Sequence, residues 1–75
     1  MMLVKFDIYF DGEYWCARGI GVSIFTQGET LDELTENIKE ATSLHFEGVL
    51  LSGEELKILS ISEVEVQPLA KVSGC

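Results

Sequence analysis

Basic residues are scarce: five lysines and arginines stand against thirteen aspartates and glutamates, for a formal charge of −8 over 75 residues. That balance repels phosphate backbones, so direct nucleic-acid binding is not expected; it suits a basic protein partner, or solubility alone. Proline occurs once and apolar residues make up 47% of the chain, which argues against a disordered tail and for a globular domain. No apolar run approaches the ~20 residues that span a bilayer, and the start lacks the basic-then-apolar pattern of a signal peptide. A cytoplasmic protein without a membrane partner is the expectation. The two cysteines, Cys16 and Cys75, have no metal-ligand spacing and make no disulfide framework, so both read as reduced thiols. The length allows one small domain, 1–75, with residues 69–75 as a frayed tail.

What is present is ordered pattern. Residues 3–10 alternate, with Val4, Phe6, Ile8 and Phe10 on one face and Lys5, Asp7 and Tyr9 on the other, as in a half-buried strand. Asp11-Gly12 suits a two-residue hairpin. That loop would pair Tyr9 with Tyr14, Ile8 with Trp15, Asp7 with Cys16, Phe6 with Ala17 and Lys5 with Arg18, and would put Asp7 near Lys5 or Arg18. Strands are expected near 3–10, 14–20, 22–27 and 61–67. Gly19 and Gly21 mark a bend or bulge between the second and third strands.

Thr30 begins the long helix, and Glu33 three residues on completes a capping box. Leu31, Leu34, Ile38, Ala41, His45 and Val49 recur at spacings of three and four and form the stripe to be buried. Asp32, Glu33, Glu36, Lys39, Glu40, Ser43 and Glu47 fall opposite. One helix of about 30–51 is expected, with Gly53 rather than Gly48 as its C-terminal cap. In the last strand Val64 and Val66 alternate with Glu63, Glu65 and Gln67. Leu59 and Ile61 share the glutamates' parity, so the strand starts near Ile61 or carries a bulge. The fold class is therefore α+β, βββαβ, with a mainly antiparallel sheet and one helix on one face.

Chemistry-bearing motifs are few. A single Gly-x-Gly before a strand is no phosphate loop. His45, alone on the stripe, reads as a partly buried histidine, and with one histidine and no nucleophile elbow a hydrolase is not expected. Asp7, Asp11 and Glu13 gather near the first hairpin and read as its solvated end rather than a cation site. No catalytic residue, metal ligand or cofactor is expected.

The order of strand, Asp-Gly hairpin, two further strands, Thr26-Gln27-Gly28-Glu29-Thr30-Leu31 and then Glu36-Asn37-Ile38-Lys39-Glu40-Ala41 resembles the HicB-like antitoxin family. The resemblance covers about residues 6–53. It implies an incomplete ribonuclease H topology and a function without catalysis: binding a small basic messenger-RNA-cleaving toxin, HicA-like, and covering its active site. Residues 18–25 lack the Leu-Pro-Gly-like signature of such proteins, so this loop is expected to run a different path. The residues after Gln67 are too few for the operator-binding motif that antitoxins usually carry.

Three functions compete. The first is an antitoxin-type module that engages its partner through Asp32, Glu33, Glu36, Glu40 and Glu47. The second is an orphan oligomeric domain that binds a small ligand, and the third is a degenerate metal-dependent nuclease built on Asp7, Asp11 and Glu13. An exposed sheet edge with Tyr9 and Tyr14 beside it is also expected to drive a homodimer or higher oligomer.

Overall fold

Alternation in the first strand decides which side of the sheet is covered. In the computed structural model, which describes residues 1–69, the elements are β1 (Met2–Phe10), β2 (Trp15–Ile20), β3 (Phe25–Gly28), α1 (Leu31–His45), α2 (Glu47–Leu51) and β4 (Leu56–Ser62). The expected frayed tail, apart from Leu69, lies outside the described residues. The sheet runs β3-β2-β1-β4, with β1–β2 and β2–β3 antiparallel and β1–β4 parallel. This is the α+β, βββαβ arrangement that the pattern predicts. Val4, Phe6 and Ile8 of β1 face inward and meet Ala17, Ile24, Leu34 and Ile38 in one core. Burying such side chains contributes roughly 1.5–3 kcal/mol each before chain entropy is subtracted. Trp15 and Ala41 pack against it half-buried. No helix among the described residues is long and apolar enough to cross a membrane.

Several expectations need correction. The first hairpin does not turn on two residues: the register is Phe10 with Trp15, Tyr9 with Cys16, Ile8 with Ala17, Asp7 with Arg18, Phe6 with Gly19 and Lys5 with Ile20. The cause is Asp11, whose side chain builds a wider turn by accepting the backbone N–H groups of Glu13 (2.8 Å) and Tyr14 (2.7 Å). Tyr9 and Tyr14 are thus not cross-strand partners. Faces survive because the shift is two residues, an even number.

The single helix is two. Phe46 leaves helical geometry at φ −111°, ψ 31° and packs against the core. His45 is exposed instead of lying in a buried stripe, its ring edge-on to Phe46 at 4.7 Å. Covering a phenylalanine removes more apolar surface from water than covering a histidine. Leu31 is 48% exposed, whereas Thr42 is buried and completes the stripe with Leu34 and Ile38. The chain leaves α2 as expected through Gly53, at φ 87°.

The fourth strand lies earlier than 61–67. Leu56 and Ile58 pack against the core, and Leu59 and Ile61 point to the open face with no change of parity. Val64 and Val66 follow the strand and are 81% and 86% exposed. The bulge is unnecessary because the open face itself is partly apolar.

Candidate protein-interaction surface

Three residues pin α1 against the sheet and thereby fix which way its carboxylates point. Gly28 is buried, and a Cβ there would lie 2.7 Å from the Leu34 backbone nitrogen, so the helix backbone rests on the glycine. Thr30 is the N-cap, its Oγ1 accepting the Glu33 N–H at 3.0 Å, which is the hydroxyl half of the capping box. Asn37 Nδ2 donates to the Gln27 carbonyl at 2.8 Å and ties the helix to β3. The residues that carry the family resemblance thus seat the helix.

With α1 seated, Leu34, Ile38 and Thr42 turn inward and Asp32, Glu33, Glu36 and Glu40 turn to solvent. Asp32, Glu36 and Glu40 lie one turn apart along a single line, and Glu33 flanks it. Glu47 is also exposed but opens α2, so the break at Phe46 separates it from the row. Asp32 and Glu33 occupy the first turn, where the helix dipole favours negative charge. Lys39 Nζ reaches Glu36 Oε1 at 3.2 Å, but the side chains are 60% and 72% exposed, and such a pair is worth under ~1 kcal/mol. Its carboxylate can be claimed by another cation at little cost. Beside the row, Thr26, Asn37, Glu40, Ala41 and Leu44 line a shallow depression between α1 and β3, with Leu44 69% exposed.

Two carboxylates of the first hairpin, Asp7 and Asp11, are already engaged. Asp7 Oδ2 pairs with Arg18 Nη2 at 3.4 Å, the ion pair expected from the alternation. The Tyr14 and Glu13 N–H groups hold the Asp11 carboxyl below the usual carboxylate range. Cys16 Sγ donates to Asp11 Oδ2 at 3.6 Å, and burial followed by the Asp11 charge pushes this thiol up. Among the described residues no three histidine, cysteine, aspartate or glutamate side chains converge as a metal site would require. Tyr9 is half-buried under the Arg18 guanidinium, 5.8 Å from its ring centre, and Tyr14 sits half-buried in the turn.

Sequence reasoning missed the composition of the open sheet face. Lys5, Arg18 and Lys57 project there, and around them Leu3, Ile20, Phe25, Leu59 and Ile61 are 44–57% exposed. Asp32, Glu33, Glu36 and Glu40 thus lie on the helix side, while three of the five basic residues share the open face, where Asp7 pairs with one of them. The signal lay in parity: odd positions of β1 and β4 and even positions of β2 share that face once the register is known.

Comparison with known proteins gives one limited likeness. The chain is 52% identical over 33 residues to a protein described as "UPF0150 protein" from Archaeoglobus fulgidus, a stretch that is 44% of this chain and 50% of that relative. It therefore spans about half the length of the curated relative it matches. No family model and no solved structure matches the chain.

Proposed function

We propose that this protein is a HicB-like antitoxin-type binding module that holds a small, basic, RNA-cleaving HicA-like toxin against the acidic side of α1. The observation that carries the reading is the separation of charge. Asp32, Glu36 and Glu40 stand in a solvent-facing row, and Lys5, Arg18 and Lys57 lie across the molecule on the open sheet face. A toxin that grips RNA must present cations to phosphates. Carboxylates one helical turn apart, with Cβ atoms ~5–6 Å from each other, offer such cations a substitute for a phosphate row. The depression beside Glu40 and the exposed Leu44 supply apolar contact next to the charges. Likeness to a UPF0150 protein, from a family related to HicB, supports kinship with antitoxins over the stretch it covers. The module works by occupying the toxin's cationic surface and needs no catalytic group of its own.

The test is calorimetric titration of this protein with a small basic HicA-like toxin, followed by an RNA-cleavage assay with that toxin. A complex that suppresses cleavage supports the reading. Absence of heat and of inhibition at low salt contradicts it.

A further inference from the structure

One edge of β4 pairs with no further strand among the described residues, and residues 63–69 continue past it outside any strand. Met2 N–H donates to the Glu55 carbonyl at 2.9 Å and Glu63 N–H to the Ile8 carbonyl at 3.4 Å, so odd-numbered residues here direct their backbone groups to β1. The backbone groups of Leu56, Ile58, Ser60 and Ser62 face away from the sheet, where no strand follows among the described residues. Beyond Ser62 the chain continues with Val64, Val66 and Leu69 at 81%, 86% and 94% exposure, an apolar series on an unpaired edge. On the helix side of that edge Thr42, Leu50, Leu56 and Ile58 line a groove.

We infer that the occupant of this edge is a second copy of the chain, its β4 and following residues running antiparallel to the first, in a register centred on Ile61. Two-fold pairing about an axis normal to the sheet keeps side chains on their faces only when partners share parity. Centring on Ile61 sets Val64 opposite the partner's Ile58 and Val66 opposite the partner's Leu56, so both valines extend the apolar lining of the groove. It also sets Glu65 opposite the partner's Lys57 on the open face, twice by symmetry. Centring on Ser60 instead would oppose Glu65 with the partner's Glu55, and centring on Ser62 would oppose Val64 with the partner's Ser60 and leave Lys57 facing an uncharged Gln67. Charge and apolar complementarity coincide in one register. The resulting sheet is continuous across the two copies, and it leaves the acidic row of α1 uncovered, so the inference does not depend on the proposed function.

Disulfide trapping tests the register. Ile61 would meet the partner's Ile61 as a non-hydrogen-bonded pair with Cα atoms ~4.5 Å apart, inside the range that a disulfide spans. In a Cys75→Ser background, Ile61→Cys should form a covalent dimer on mild oxidation and Leu59→Cys should not. Equal trapping at both positions, or at neither, overturns the register. Sedimentation equilibrium gives a second reading: Lys57→Glu or Glu65→Lys alone should raise the dimer dissociation constant about tenfold, and the two together should restore it. Val64→Asp with Val66→Asp should abolish the dimer while leaving the far-ultraviolet spectrum unchanged, since both side chains are exposed in one copy. A wild-type chain that stays monomeric at about 100 µM overturns the inference altogether.

Discussion

Gly28 and Leu34 are in backbone contact: a Cβ on the glycine would fall 2.7 Å from the Leu34 nitrogen and 3.1 Å from its Cα. Neither atom belongs to a flexible side chain, so an added methyl must push α1 off β3. Gly28→Ala should therefore destabilise the protein by ~1–3 kcal/mol, the usual range for overpacking. Urea denaturation reads it directly. An unchanged midpoint would mean that the helix is not seated on the glycine.

Ile38 is 3% exposed and belongs to the core beside Phe6 and Leu34. Truncation to alanine should cost ~2–5 kcal/mol, from lost transfer energy and the cavity left behind. A loss below ~0.5 kcal/mol would place the helix in a different rotation.

Thr42 gives the opposite sign. It is 1% exposed, and its Oγ1 makes no hydrogen bond among the described residues. Thr42→Val removes an unsatisfied hydroxyl at nearly constant volume and should raise stability by ~1 kcal/mol. A loss of stability would show that the hydroxyl has a partner in solution.

These residues also mark how far the sequence could be read. The alternation of Val4, Phe6 and Ile8 and the Thr30 cap are local signals, and the first strand and the start of α1 stand where those signals put them. Asp11-Gly12 announced a hairpin but not its register, because the Asp11 carboxylate competes for the turn's N–H groups. The helix break at Phe46 has no proline to announce it; it follows from burying an aromatic ring that only the tertiary fold brings to the core. β4 was legible as a strand but not in place, since Leu59 and Ile61 are apolar residues on an uncovered face. The acidic positions were legible from helical spacing. Their separation from Lys5, Arg18 and Lys57 was not, because it depends on strand order.

The Asp11 turn makes stability depend on acid. Its folded-state carboxyl titrates below the ordinary aspartate value of about 3.9, so the unfolded chain takes up a proton first as pH falls. The turn's contribution is present above that value and is lost as pH drops through the folded one. Asp11→Asn keeps an acceptor for the Tyr14 and Glu13 N–H groups but cannot ionise. Its denaturation midpoint should fall less steeply than that of the wild type below about pH 4. Parallel curves for the two proteins would show that the carboxylate charge is not held by the turn.

The acidic side of α1 is the centre of the functional account, and association kinetics test it most directly. Stopped-flow mixing with a small basic HicA-like toxin should give an association rate that falls steeply as added salt shortens the Debye length from ~10 Å at 0.1 M to ~3 Å at 1 M. Glu36→Lys with Glu40→Lys, both at exposed positions, should slow association at low salt and leave the denaturation midpoint within about 0.5 kcal/mol of wild type. An association rate indifferent to salt and to the double reversal would contradict the account and move the contact to another surface.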